Sequence, residues 1–505
     1  MTRGIRLLKK IVSLCCVCFV NAYSGFAQPV FTVNDYGAVG DGHTLCTRSI
    51  QKAVDACARA GGGKIVFRPG RYRTGPVFLK SNLHIEIGAG AVILFDSNFR
   101  QTPVVDGSWE GIDRKIYASL FYGQNLENIT ISGRGTIDGQ GSPWWEAYRS
   151  TEELRKKMGI NTREAENPRG SALPFPRPRV INLYHCRNVL IRDITILNSP
   201  SWTIHPQDCE NVTIEQVTIR TPYGSPNTDG IDPESCRNVR ILNCFIDCGD
   251  DCIAIKSGYN ESGCKRVIPC QDVVIANCTF AHGRSAIGIG SEVFGGVRNV
   301  AVSNCIFNGT LRGIRIKTAR GRGSVVENIN VSGIVMDNIS EGISLEMNYD
   351  GGPDTVQVAG PLTPVLRNIR LSNITGTHIG QAMNLSGLPE SPLHDIHFDH
   401  VMLYSAEGVK CRFASRISFS DCMVNAQNGS AFYVSQSAGI CFDNAGSILP
   451  QPVLPVISVS RSDGFIMRNC QAVKGTGILV KADSTKNVEF INNLPGKAAM
   501  INTEE

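Results

Sequence analysis

The sequence predicts an all-β fold, a single-stranded right-handed parallel β-helix with an N-terminal capping helix. Three observations lead there. One short phrase recurs along the chain: an Asn or Asp, an alternating apolar segment, then a turn. The copies keep the two-residue period of a strand and are rich in β-branched residues. Gly is abundant, at 51 of 505 residues, and helix-favouring stretches are few.

The chain opens MTRGIRLLKKIVSLCCVCFVNAYSGFAQPV. Arg3, Arg6, Lys9 and Lys10 form a basic start, and the apolar run Ile11 to Val20 is too short to anchor in a bilayer. Small residues follow at Ser24, Gly25 and Ala27, so residues 1–27 read as a secretory signal peptide. A secreted or periplasmic protein is expected. Removing the signal takes four positive charges and no acids, so the formal charge falls from +5 to about +1. That balance argues against a nucleic-acid partner, and no later run is long enough for membrane insertion. Nothing resembles a linker, so residues 28–505 are read as one domain, and a monomer is expected.

The first element is a helix starting near Thr47, with Thr47 as its cap and Ile50, Val54 and Cys57 on one face. It suits the role of a plug for the open end of a solenoid. The repeat then begins at ENITISGRGTIDG (Glu127) and continues through RNVLIRDITILNS (Arg187), ENVTIEQVTIRTP (Glu210) and RNVRILNCFIDCG (Arg237). It persists to weaker copies at His394, Ser415 and Asp463, with a spacing of 23 residues (Asn188 to Asn211) to 40 (Asn328 to Asn368). Such a unit cannot bury its own apolar face. Stacked coils can, each pairing with the next about 4.8 Å above it. Asn188, Asn211, Asn238, Asn299, Asn328 and Asn368 share one repeat position, where side-chain amides can bond along the axis. Cys186, Cys209 and Cys236 share another, which suggests an inward stack of thiols rather than disulfides. Cys264 and Cys270, in a loop, are the better disulfide pair. Residues 141–180 break the repeat and read as a surface loop, a candidate cleft wall.

The chemistry centres on SPNTDGIDPESC and GDDCIAIKSG. Asp229 and Asp250 are 21 residues apart, close to one coil, so Asp229 and the Asp250/Asp251 pair should meet on neighbouring coils of one face. Mutual repulsion there raises at least one pKa, so one acid can hold a proton while another stays ionised. That pairing serves general acid and general base catalysis on a glycosidic bond. Alternation puts Arg315 and Lys317 on one side of their strand, and Arg284 lies one coil earlier. Cations beside the acids suit a substrate with carboxylates of its own.

NDYGAVGDG, NSPSWTIHPQDCENV, SPNTDGIDPESC, GDDCIAIKSG, IGIGSE and GIRIKT together resemble the polygalacturonase-like glycoside hydrolases of family 28. The resemblance spans nearly the whole mature chain. It implies inverting hydrolysis of pectic backbones, on a pectic polysaccharide or oligogalacturonide, without metal or other cofactor. By that resemblance Asp250 is the proton donor, Asp229 and Asp251 orient and deprotonate water, and Arg315 and Lys317 bind uronate. Asn227, of the NTDG motif, joins the substrate-binding set. Inversion implies roughly 6.5–9.5 Å between acid and base. One position departs from the family: where a His is usual, the register gives Arg284 or Ser285, with His282 two or three residues away. A rhamnogalacturonan substrate is therefore the first alternative; a calcium-dependent pectate lyase and a non-catalytic solenoid follow. Tyr349 either stacks on sugar or is a loop tyrosine. Trp202 and His205 either line the cleft or pack, and Trp144 and Trp145 either form a sugar platform on the insertion or, the safer reading, staple that loop.

Overall fold

The structure, a computed structural model, describes residues 28–162, 165–259 and 267–503. The expected signal peptide and Cys264 lie outside them. Thirty strands join in one sheet system whose pairings are parallel, and a four-stranded parallel stack abuts it. The coils wind as the repeat predicts. Ile129, Val189, Val212, Val239 and Val273 stack in register on one wall. On another, Ile181, Ile204, Ile231, Ile253, Ile287 and Ile314 do the same. All of these are buried in one continuous core. Their neighbours in sequence point outward, because side chains alternate across a strand.

The repeated Asn has a backbone reason as well. Asn188, Asn211, Asn238, Asn299, Asn328 and Asn368 hold φ between +51° and +58°, the left-handed corner that Asn tolerates best after Gly. Their amides then bond along the axis, as in Asn211 to Asn188 at 3.1 Å and Asn238 to Asn211 at 2.6 Å. The thiol stack is present too: the Cys186 amide donates to Cys209 Sγ and the Cys209 amide to Cys236 Sγ, each at 3.4 Å. Cys270 is a free buried thiol, not half of a disulfide. Gln271 pairs with Arg237, so Cys270 continues the stack above Cys236.

Helix α1, Thr47–Arg59, buries Ile50, Ala53, Val54 and Cys57 against the first coil. Thr47 does not cap it: its Oγ1 accepts from the Gly75 amide at 2.7 Å and ties the helix to the coil instead. The insertion is not a bare loop. It carries helix α2, Ser142–Lys157, with Pro143 in its first turn and three basic residues in its last, where the helix dipole favours them. A second departure from the repeat is an antiparallel hairpin, Val104–Trp109 with Ile112–Tyr117.

Candidate active site

Ile231 and Ile253 are partners on adjacent coils, and Asp229 and Asp251 each precede their isoleucine by two residues. Both therefore sit at the same corner, one coil apart. The backbone fixes them there: the Gly230 amide donates to the Asp251 carbonyl at 3.0 Å and the Arg284 amide to the Asp250 carbonyl at 2.8 Å. One carboxylate oxygen from each of Asp229, Asp250 and Asp251 lies within 4.8 Å of the others. That is closer than the roughly 6.5–9.5 Å expected between an inverting acid and base. The cause is the fold: Asp229 and Asp251 hold one position on adjacent coils and meet at about the inter-strand spacing of 4.8 Å, and Asp250 adjoins Asp251 in the chain.

Three cations hold this cluster together. Lys317 Nζ donates to Asp251 Oδ2 at 2.8 Å, reaching back across an intervening coil. It can do so because Gly288 stands between them; a Cβ there would come within 3.2 Å of Asp251 Oδ2. Arg284 Nε lies 3.6 Å from Asp250 Oδ2. Lys256 Nζ lies 3.8 Å from Asp229 Oδ2 and 3.7 Å from Glu292 Oε2, and 4.5 Å above the Trp202 ring.

The environments push the three acids apart. Burial, then the neighbouring Asp232 and Asp250, drive Asp229 well above the usual carboxylate range, against the pull of Lys256. Burial and Asp251 raise Asp250, with Arg284 and Lys317 opposing. Burial also works to raise Asp251, but Lys317 outweighs it and holds Asp251 below its ordinary value. Asp251 is thus the fixed anion of the set, and Asp250 is a proton holder that keeps 13% of its side chain exposed.

Beyond the acids, Arg315 pairs with Gly288 of the preceding coil and faces the same way as Lys317. The Tyr349 ring lies among three cations, 5.2 Å from the Arg315 guanidinium, 5.8 Å from Lys317 Nζ and 5.4 Å from Arg322. Arg315 also approaches Glu346, at 3.7 Å.

Residues 101–422 match the sequence profile of the glycosyl hydrolases family 28. The chain belongs to that family. This family 28 glycosyl hydrolase is 34% identical over 386 residues to a probable polygalacturonase of Vitis vinifera, covering 74% of each chain. It is 30% identical over 325 residues to an endo-polygalacturonase of Pectobacterium carotovorum, covering 61% of this chain and 73% of that one. Among solved structures it resembles a hyperthermoactive exopolygalacturonase from Thermotoga maritima, with a TM-score of 0.67 and 30% identity. That match covers 82% of this chain and 92% of the other.

Not every candidate residue of the glycosyl hydrolase joins the cluster. His282 is exposed and bonded through Nδ1 to Asp247 Oδ1 at 3.0 Å, turned away from the acids; Arg284 takes the place beside Asp250. Asn227 Oδ1 accepts from Arg177 Nη2 at 2.7 Å, which ties the turn before Asp229 to Arg177. Trp202 and His205 are buried packing residues, with His205 Nε2 3.0 Å from Glu234. Trp144 is buried and Trp145 donates to the Ser199 carbonyl at 3.0 Å, so the pair does staple the insertion. Lys256 went unnoticed in the sequence, although IAIK and RIK carry their lysines at the same repeat position. Arg177 and Trp109 had no repeat to reveal them.

Proposed function

We propose that this protein hydrolyses α-linked galacturonic acid backbones of pectin with inversion, as a secreted or periplasmic monomer. The observation that carries the reading is the meeting of Asp229, Asp250 and Asp251 within 4.8 Å, flanked by Lys317, Lys256 and Arg284. Asp250, raised by burial and by Asp251, protonates the departing glycosidic oxygen. Asp251, kept anionic by Lys317, takes the proton of the attacking water, and Asp229 orients that water. Arg315 and Lys317, beside Tyr349, receive the uronate carboxylate. The names of the curated relatives, probable polygalacturonase and endo-polygalacturonase, support the same substrate class.

The test is product analysis on homogalacturonan, rhamnogalacturonan and galacturonate oligomers. Homogalacturonan should yield new reducing ends without ultraviolet-absorbing products. Unsaturated products would show elimination instead, and cleavage confined to rhamnogalacturonan would move the substrate to the branched pectins. Export is checked by fractionating cells that express the full chain.

A further inference from the structure

The outward face of the sheet is closed on one side of the acids and open on the other. His205 and Asp232 point outward on the two coils preceding Ala254, yet both are fully buried, and Gln207 and Glu234 are nearly so. The cover is the hairpin Val104–Trp109/Ile112–Tyr117. Its Ser108 hydroxyl donates to Gln207 Oε1 at 2.8 Å, and its Ser108 carbonyl accepts from Arg179 Nη2 at 2.6 Å. Trp109 stacks on Trp202 at 5.1 Å and 8°. At the tip, the Gly111 carbonyl accepts from the Tyr259 amide at 3.3 Å. The apposition is so close that a Cβ on Gly111 would lie 2.4 Å from Tyr259 N. The hairpin therefore crosses the sheet from Trp202, before one strand, to Tyr259, beyond the strand that follows Asp251.

Helix α2 and its following loop back the hairpin. Tyr117, Trp144, Ala147 and Leu173 pack as a separate apolar cluster that joins all three segments. Between these segments lies a cavity of about 300 Å³, with Trp109, Glu110, Arg114, Tyr148, Lys156 and Arg177 in its lining. Arg177 links it to the acid site: its guanidinium lies 4.0 Å from the Tyr148 ring and bonds Asn227, two residues before Asp229. On the other side the outward column runs through Arg315 and Ser344, still buried, to the half-buried Asn384 and then opens at the exposed Lys410 and Tyr433.

A polymer cut in its middle needs a groove open at both ends. Here one direction ends in a cavity at the small end of the roughly 300–1,000 Å³ range of ligand pockets. We infer that the enzyme attacks at a chain terminus, seating the last sugar in the cavity bounded by the hairpin and α2 while the chain runs out past Arg315. The lining sets four cations, Arg114, Arg155, Lys156 and Arg177, against two carboxylates, Glu110 and Glu152, and this positive balance together with the Trp109 and Tyr148 rings suits an anionic terminal uronate. This rests on the pectic-hydrolase reading above.

The experiment is a time course of the wild-type enzyme on homogalacturonan, following viscosity, reducing ends and product length. One short product from the earliest time point, with little viscosity loss per bond cut, is expected. A ladder of intermediate oligomers with an early collapse of viscosity overturns the inference while leaving pectin hydrolysis intact. No cleavage of any uronan removes the underlying reading and this one with it. A variant lacking residues 107–114, with Asp106 rejoined to its partner Lys115, should gain internal cuts and a several-fold larger viscosity loss per bond. If that folded variant keeps the wild-type product pattern, the hairpin is not the wall; if it does not fold, the wild-type profile decides alone.

Discussion

Arg284 stands where the family resemblance leads one to expect an imidazole, and its effect on the acid can be worked out. Its Nε is 3.6 Å from Asp250 Oδ2. Two unit charges near that distance interact by about 1 kcal/mol in a water-like setting and about 4 kcal/mol at an effective dielectric of about 20. The Arg284 side chain is 62% exposed, so solvent screening selects the lower figure. About 1 kcal/mol corresponds to roughly 0.7 of a pKa unit. A general acid works in its protonated form, and the guanidinium favours the ionised one. Arg284→Gln therefore raises the Asp250 pKa, and the alkaline limb of the kcat/KM profile should move up by roughly 0.7 pH unit. Arg284→Lys keeps the charge and should leave the limb near its wild-type place. Added salt should move the wild-type limb upward and the Gln variant's very little. An alkaline limb that stays put or moves down in Arg284→Gln would refute the assignment of Asp250 as the acid that Arg284 tunes.

Asp250→Asn should lower turnover by about 10²–10⁴-fold, the range of a lost general acid, with an unchanged thermal unfolding profile. Lys317→Met strands the buried Asp251 carboxylate. Urea unfolding at neutral pH should show a loss of about 3–5 kcal/mol. Because the wild-type Asp251 pKa is depressed, that advantage is present above the unfolded value near 4 and shrinks as pH falls below it. The acid limb of activity should shift upward in the same variant, since the base must be ionised. Asn211→Ala removes two rungs of the amide ladder and puts Ala at φ +58°, so chemical unfolding should register about 1–2 kcal/mol of lost stability. Asn211→Gly, which accepts that φ, should recover part of the loss.

The repeat made the coils and their register legible. Alternating apolar residues fix which side chains point inward, and a constant position for Asn fixes where each coil turns. From that alone Asp229 and Asp251 fall at one corner, and Arg315 and Lys317 on one face. The same logic places Cys270 above Cys236 as a stacked thiol, although its flanking loop resembles a disulfide site. His282 lies two residues before Arg284, and that shift at a turn brings its ring to Asp247.

What the sequence determined by itself was the winding, because each coil's pattern is local and is satisfied by the next coil a fixed distance away. What only the tertiary structure decided was how the non-repeating segments fold back. The Trp109–Trp202 stack, the Arg177–Asn227 bond and the Gly111–Tyr259 contact join residues 50 to almost 150 positions apart. No periodicity encodes such pairings, since they depend on shape and charge complementarity that exists only once the solenoid is built.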